Sequence, residues 1–178
     1  CINMHQYWVG TAADVCGVAV TSPWSGCSRR RLTTYSRPAE SGNETSLFSS
    51  TTKAERVDGG YTMTGRKSFG SLTPVWTRLG LHGMDTSDAA NPRIIHGFVE
   101  RSTKGISTKD TWDVMGMRAT RSDDTILDHV FVPDSHVVRV CPPGMAGADF
   151  FVLSIFAWAL GGFSNVYYGL AQRMLDRE

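Results

Sequence analysis

The sequence predicts an α+β chain in which a mainly antiparallel β region is followed by one long apolar helix. Runs rich in β-branched and aromatic residues alternate with turn signals through the middle of the chain, and an almost unbroken apolar run lies near its end. No helical pattern of 10–15 residues falls between the strand-like runs. Short strands spaced by turns are typical of an antiparallel barrel or sandwich, and the missing helices argue against parallel βαβ units.

The composition is that of an ordinary globular protein. The 178 residues are 41% hydrophobic and 20% charged, with a formal net charge of +1. This balance argues against an electrostatic nucleic-acid binder, and the basic run Arg29–Arg31 is predicted to be a solvated loop. The four cysteines form no CxxC pair and follow no secretory segment, so we expect free thiols and a cytoplasmic location.

The N-terminal third gives weak signals. Residues 1–13 are short and of mixed polarity, as at the end of a helix, whereas residues 14–38 are rich in Ser, Arg, Thr and Cys and show no clear period. We therefore expect an irregular segment there.

The β region is predicted from residue 39 to residue 145. Its strongest local signal is Asp58-Gly59 between two strand-like runs, because a tight hairpin turn needs positive φ and glycine adopts it at little cost. Further strands are predicted at Val75–Leu81, Arg93–Glu100 and Thr125–Val132. The turn signals between them are Gly83 with Asp85, Asn91-Pro92, Lys104-Gly105 and Pro133-Asp134.

A long helix is predicted after Asp149, which is a plausible N-cap. The run Phe150–Leu170 is long enough to span a bilayer, but a helix buried in a helical bundle is the favoured interpretation, and no membrane span is expected. Glycine in a helix interior costs about 1 kcal/mol relative to alanine. Gly161, Gly162 and Gly169 therefore suggest that another helix packs closely against this one.

Two stretches resemble the motifs of other active sites but do not match them in full. Gly60–Ser68 looks like a phosphate-binding loop, but it has one residue too many before the lysine and joins strand to strand. Gly162–Val166 lacks the last glycine of a nucleophile elbow.

The scattered histidines and carboxylates predict no metal site. His129 and His136 flank a strand end and a turn without a ligand pattern. Asp123, Asp124 and Asp128 lack calcium-loop spacing and are predicted to lie in a solvated turn.

Two longer segments carry a family signal. Thr52–Ser71 combines the hairpin, a Gly-x-Lys strand and the triplet Phe-Gly-Ser, and Met115–Pro133 begins Met-Gly-Met-Arg-Ala-Thr and ends Asp-His-Val-Phe-Val-Pro. In this order and separation they resemble the two middle-domain signatures of the acyl-CoA dehydrogenase family. The resemblance covers about residues 39–176, with a weaker match at 3–13.

The resemblance implies a fragment of a larger flavoprotein. Residues 1–13 would be a remnant of an N-terminal helical domain, 39–145 a middle β-barrel that binds flavin and acyl-CoA, and 149–178 the first helix of an incomplete C-terminal helical bundle. Residues 14–38 depart from the family pattern, and we hypothesise a shifted reading frame there.

The resemblance also implies an FAD site. The stretch Ala39–Glu44 is similar to a shortened flavin loop, so Ala39, Gly42 and Asn43 would contact the flavin, and Asn43 also the acyl-CoA chain. Phe69 would form a wall against the ring, with Gly70 allowing close approach and Ser71 at the flavin edge. Arg118 would be a structural clamp on its loop.

The implied reaction is α,β-dehydrogenation of an acyl-CoA, in a homo-oligomer when full-length. The matching helical position for the base is near Ala159, which carries no acid, so no catalytic residue is expected in this chain and activity is not expected of it alone. A related flavin-dependent monooxygenase or oxidase, and a non-catalytic remnant or partner-dependent subunit, remain open alternatives.

Overall fold

The computed structural model describes residues 35–36, 39–40, 49–144 and 149–177. The expectations for residues 1–13, and for most of 14–38, lie outside this part of the chain. The strands and the helix have the following bounds: β1 Tyr35–Ser36, β2 Ala39–Glu40, β3 Lys53–Val57, β4 Gly60–Gly70, β5 Arg78–Asp85, β6 Arg93–Glu100, β7 Ile106–Lys109, β8 Asp123–Pro133, β9 Val137–Cys141 and α1 Phe150–Leu175.

The strands form one mixed, mainly antiparallel sheet. Seven of them run across it in the order β7-β8-β4-β3-β5-β6-β9, and the two-residue strands β1 and β2 pair with β5 and β4. The pairings of β1 and β3 with β5 are parallel, and the remaining pairings are antiparallel. A mainly antiparallel sheet followed by a long helix agrees with the sequence. Among the described residues no pairing joins β7 to β9, so the sheet is open and closure into a barrel is not seen.

The hairpin predicted at Asp58-Gly59 is confirmed and joins β3 to β4. Gly59 has φ +76°, the left-handed conformation that the tight turn requires. The next residue, Gly60, has no room for a side chain, because a Cβ there would lie 2.2 Å from the carbonyl oxygen of Val132 on β8. Arg56 and Asp134 form a bidentate ion pair across the same end of the sheet. Turn chemistry and close strand packing thus fix this end of β4.

The β5 region differs from the sequence prediction. The run Val75–Leu81 was expected to be a strand ending before a turn at Gly83, but β5 begins at Arg78 and continues through Gly83 to Asp85. A Cβ at Gly83 would lie 3.1 Å from the Cβ of Ala54 and 3.3 Å from the sulfur of Met63. This glycine marks close packing inside the sheet rather than a turn, which sequence alone cannot distinguish.

Two apolar clusters hold the sheet and the helix. The larger one is built from strand residues together with Trp76, which precedes β5, and consists of Ala54, Met63, Trp76, Leu79, Leu81, Ile95, Val99, Leu127, Val130 and Val132. The smaller one lies between the β6–β9 edge and the start of α1 and consists of Ile94, Cys141, Phe151, Val152 and Ile155. The cysteine in it is a free thiol, and burial raises its pKa. The other three cysteines lie outside the described residues.

Helix α1 begins where the sequence predicts. Asp149 is the N-cap, accepting hydrogen bonds from the backbone N–H groups of Phe151 (3.0 Å) and Val152 (3.3 Å). Its other carboxylate oxygen accepts from Arg139 at 2.7 and 3.0 Å. Burial alone would raise the pKa of Asp149, but these hydrogen bonds and the guanidinium hold it below its usual range. The first turns are therefore tied to β9.

The second half of α1 is exposed. Its apolar side chains on the surface include Leu160, Phe163, Val166, Tyr167, Tyr168, Leu170, Met174 and Leu175. Apart from the adjacent residues and nearby backbone of α1 itself, no atom of the described residues lies within 4 Å of a Cβ built at Gly161 or Gly169, so the helix expected to pack there is not among them. By length and composition alone α1 could cross a membrane, a test that the core helix of a soluble protein also passes.

Replacing the cap should loosen the docking of α1. We expect Asp149→Ala to lower the free energy of unfolding by about 2 kcal/mol, the upper range for loss of an N-cap, because it also leaves Arg139 without its carboxylate. Urea denaturation followed by circular dichroism measures this. Asp176→Ala at the other end of α1 is the control and should change stability by less than ~0.5 kcal/mol; equal losses in both variants would contradict the capping role.

Candidate functional site

The candidate site lies at the end of β4, where Phe69, Gly70 and Ser71 leave the sheet. Phe69 has φ +58° and is 50% exposed. Its ring meets that of Trp112 edge to face, with centroids 5.9 Å apart and planes at 79°. An aromatic side chain in a left-handed backbone conformation, supported on one side and open on the other, is an unusual arrangement for a surface strand.

The loop that carries Trp112 is anchored by Asp123. One carboxylate oxygen of Asp123 accepts from the backbone N–H groups of Thr111 (3.0 Å) and Trp112 (2.9 Å), and the other accepts from Arg121 (3.2 Å). Asp123 is only 1% exposed. Burial alone would raise its pKa, but the two backbone donors and the guanidinium outweigh burial and lower it. A buried, ionised carboxylate thus fixes the ring that supports Phe69.

The sequence prediction that Asp123 and Asp124 lie in a solvated turn is wrong. Both are buried on β8, and Asp124 pairs with Arg66 of β4. Buried carboxylates persist where they are paired and hydrogen-bonded, as these are. Of the three carboxylates grouped in that prediction, Asp128 is exposed.

Three hydroxyl groups form a chain that ends at Ser71. The Oγ atoms of Ser71 and Ser122 are 2.9 Å apart, and Ser122 Oγ is 2.8 Å from Thr120 Oγ1. Thr120 Oγ1 in turn donates to the carbonyl oxygen of Met117 at 2.9 Å. The indole N–H of Trp112 donates to the same carbonyl at 3.2 Å, so the hydroxyl chain and the aromatic support share one anchor.

Backbone strain is concentrated around the triplet. Of the five non-glycine residues with positive φ in the described part of the chain, four lie here: Phe69, Leu72, Met117 and Arg121. Backbone hydrogen bonds from Leu72 to Thr120 (2.7 Å) and from Thr73 to Arg121 (3.1 Å) hold the strained segments against each other. Such conformations cost about 1–3 kcal/mol each and cluster at functional sites, where the surroundings enforce them.

The structure brings some of the predicted flavin residues together. Ala39 on β2 pairs with Ser68, directly beside Phe69. Gly42 and Asn43 lie outside the described residues. A Cβ at Gly70 would lie 3.2 Å from the carbonyl oxygen of Asp123, so this glycine permits the close approach of β8 to β4.

Two residues important to the site were not predicted. Asp123 was assigned to a solvated turn, and Trp112 was not considered, although it is an isolated aromatic residue in the polar stretch 107–113. Arg118 does act within its loop, donating from Nε to the carbonyl oxygen of Val114 at 2.9 Å.

The arrangement fits a flat ligand with a polar rim. Phe69 offers an exposed ring face or edge, and the half-buried Ser71 hydroxyl lies two residues away at the end of a hydrogen-bonded chain. An isoalloxazine ring requires such an apolar wall and polar partners at its edge.

Comparisons with known proteins identify related enzymes. The chain is 38% identical over 86 residues to a pigment production hydroxylase of Rhodococcus erythropolis, covering 46% of this chain and 22% of that protein. It is 32% identical over 130 residues to a dibenzothiophene monooxygenase of the same organism, covering 67% and 29%. It is also 29% identical over 113 residues to the mitochondrial isovaleryl-CoA dehydrogenase of Arabidopsis thaliana, covering 61% and 28%.

Solved structures share the fold. TdsC from Paenibacillus sp. A11-2, in complex with FMN and indole, superposes with a TM-score of 0.62 at 18% identity, covering 83% of this chain and 35% of that one. XiaF from Streptomyces sp., in complex with FADH2 and glycerol, has a TM-score of 0.58 at 20% identity, covering 88% and 38%. No protein-family model matches the chain.

The family resemblance seen in the sequence is therefore confirmed. Sequence and fold place the chain with the acyl-CoA dehydrogenase-like flavoenzymes, at low identity and over part of its length. The chain spans about a quarter of the length of the curated relatives that it matches.

Proposed function

We propose that this chain is part of an FAD-dependent oxidoreductase and that Phe69, Gly70 and Ser71 lie along its isoalloxazine ring. Ala39, Gly42 and Asn43 would complete the flavin contacts, with Asn43 also facing the acyl-CoA chain. The observation that carries the proposal is the half-exposed Phe69 ring, which is held in a left-handed backbone conformation against Trp112.

The bound flavin would supply two-electron redox chemistry. In this proposal Phe69 covers the ring and excludes water from it, and Ser71 makes a polar contact at the rim. Asp123 keeps Trp112 in place behind Phe69 through two backbone hydrogen bonds.

The leading reaction is α,β-dehydrogenation of an acyl-CoA thioester, which requires a base opposite the flavin. The helical position proposed for that base is near Ala159, a buried residue without an acid. The base would therefore come from a helical domain of which α1 is the first helix, and the β region would be the middle domain. The second half of α1 exposes apolar side chains. This exposure supports the proposal that the other helices of that domain, and further copies of the chain in a homo-oligomer, pack against α1.

A flavin-dependent monooxygenase is the second candidate. It is supported by the hydroxylase and the dibenzothiophene monooxygenase, which are 38% and 32% identical to the chain over the matched residues, against 29% for the isovaleryl-CoA dehydrogenase. Neighbours of this fold hold FMN or FADH2, so FMN is an alternative cofactor. We propose a soluble, cytoplasmic enzyme; the isovaleryl-CoA dehydrogenase of Arabidopsis is mitochondrial by name.

Flavin titration of the purified chain tests the site. We expect FAD or FMN to bind with a change in flavin fluorescence, and Phe69→Ala to weaken binding about 5- to 150-fold, the range for an aromatic ring stacked on a flat heterocycle. Phe131→Ala is the matched control, since Phe131 is a similarly exposed phenylalanine at the other end of the β4–β8 pairing. Its flavin affinity should equal that of the wild type.

Two outcomes would contradict the proposal. A wild-type chain that has the expected circular dichroism spectrum but binds neither flavin would support the non-catalytic remnant instead. Equal affinity in Phe69→Ala and the wild type would exclude Phe69 as the wall.

A second measurement separates the two reactions. An acyl-CoA thioester is added without oxygen to the flavin-loaded chain, and a shift of the flavin absorption band supports acyl-CoA binding. An unchanged band contradicts the dehydrogenase assignment and favours the monooxygenase.

A further inference from the structure

The hydroxyl chain at the site has a fixed direction. Thr120 Oγ1 lies 2.9 Å from the carbonyl oxygen of Met117, which can only accept a hydrogen bond. Two oxygens at this distance repel each other unless a proton lies between them. The Thr120 hydroxyl proton therefore points to Met117, and this hydroxyl can only accept from Ser122.

The direction propagates to Ser71. Since Thr120 accepts at 2.8 Å, Ser122 donates its proton to Thr120 and can only accept from Ser71 at 2.9 Å. Ser122 is buried, so water does not offer its hydroxyl another partner. Ser71, which is only half-buried, consequently points its proton inward and presents oxygen lone pairs to the site.

The two redox forms of an isoalloxazine ring differ at its N5 atom. The oxidised ring carries one N–H group, at N3, and its N1 and N5 atoms accept hydrogen bonds. Two-electron reduction adds a proton at N5, which becomes a donor. A protein hydroxyl that only accepts gains a new partner in the reduced ring and faces an unfavourable acceptor in the oxidised one.

We infer that Thr120 and Ser122 are positioning residues that orient the Ser71 hydroxyl as an acceptor, so that the site favours reduced flavin. This inference rests on the proposed flavin site at Phe69–Ser71, with the Ser71 hydroxyl facing N5 of the ring. Thr120 and Ser122 act through Ser71 and are not proposed to contact the ring.

The reduction potential of the bound flavin tests this. The wild-type chain, Thr120→Val and Thr120→Ser are each loaded with FAD, or with FMN if it binds more tightly, and equilibrated with a reference dye. Valine has the shape of threonine but offers Ser122 no acceptor, so the Ser122 proton can turn to Ser71 and the Ser71 proton can turn outward. We expect the ratio of the affinities for reduced and oxidised flavin to be about fivefold lower in Thr120→Val than in the wild type. One neutral hydrogen bond contributes about this factor.

This change lowers the potential of the bound flavin by about 20 mV, from the relation of about 30 mV per tenfold change for two electrons. Thr120→Ser keeps the hydroxyl and should restore the wild-type potential, which loss of packing alone would not predict. Ser122→Ala removes the acceptor of the Ser71 proton directly and should lower the potential in the same direction.

The outcomes separate this inference from the proposed function. Bound flavin with equal potentials in the wild type, Thr120→Val and Ser122→Ala would overturn the inference and leave the flavin site intact. A folded wild-type chain that binds no flavin in either redox state would overturn both. A potential that falls in Thr120→Val and is not restored in Thr120→Ser would also contradict the role of the hydroxyl.

Discussion

Asp123→Ala is expected to lower the free energy of unfolding by about 3 kcal/mol or more. The substitution removes the two hydrogen bonds from the N–H groups of Thr111 and Trp112 to a buried, charged acceptor, each of which contributes about 1.5–3 kcal/mol, and leaves Arg121 without its carboxylate. Urea denaturation measures the loss. Hydrogen exchange should show faster exchange at the Thr111 and Trp112 amides, and flavin binding should weaken because Trp112 no longer supports Phe69.

Asp124 provides the matched control for this residue. It is the next residue on β8 and also buried, but its carboxylate pairs with Arg66 and holds neither of those amides. Asp124→Ala should therefore destabilise the sheet while leaving amide exchange at Thr111 and Trp112 slow. Fast exchange in both variants would show that sheet stability alone, rather than Asp123, holds the loop.

The same carboxylate gives the site a pH dependence. The pKa of Asp123 is lower in the folded chain than in an unfolded one, so its stabilisation is complete above the ordinary pKa of an aspartate. It is lost as the pH falls through the lowered value. Arg121, which faces Asp123, and Asp110, which pairs with Arg121, are the other charged groups at this position. Other carboxylates with lowered pKa, such as Asp149, keep their own pH dependence. A loss of stability in acid that is smaller in Asp123→Asn than in the wild type would confirm the assignment, and equal losses would contradict it.

Trp76→Ala is expected to cost about 3–5 kcal/mol, the range for removing a fully buried aromatic side chain. Trp76 has 0% exposure in the main core cluster, and the guanidinium of Arg101 lies 4.7 Å from its ring centroid. Arg101 also donates to the carbonyl oxygens of Thr73 and Trp76. The cavity left by Trp76→Ala would remove the ring on which Arg101 rests, and would therefore also loosen the segment that follows Ser71. Denaturant unfolding provides the measurement.

Trp76→Phe is the corresponding control. It keeps most of the ring volume and removes an indole N–H that has no hydrogen-bond partner among the described residues. We expect less than half of the loss seen with alanine. Equal losses in the two variants would indicate that the buried ring volume at this position does not determine stability.

The sequence correctly predicted those parts of the fold that are determined by residues close together in the chain. The Asp58-Gly59 hairpin, the strand Arg93–Glu100 and the capped start of α1 at Asp149 are all found as expected. Gly83 was misread because a strand glycine packed against Ala54 and a turn glycine look alike in sequence. Closure of the sheet depends on pairing between distant strands, which no local pattern specifies.

The site was predicted only as far as the family resemblance reached. The triplet Phe69–Ser71 lies where β4 ends, and Ala39 pairs with Ser68 beside it, whereas the flavin contacts of these residues stay a prediction. The buried state of Asp123 depends on N–H groups of Thr111 and Trp112, which reach it only through tertiary structure. Charge alone predicted a solvated residue. The direction of the hydroxyl chain likewise requires interatomic distances.

The strand order has a consequence for how quickly the chain reaches its native state. The β3–β4 hairpin joins neighbours in sequence, whereas β4 pairs with β8, which lies far along the chain. Contacts between distant segments form slowly because the loop entropy is lost before the contacts stabilise it. We therefore expect the hairpin end at Gly60 to nucleate early during refolding. The end at Phe69, whose partners come from residues 111–123, should consolidate last.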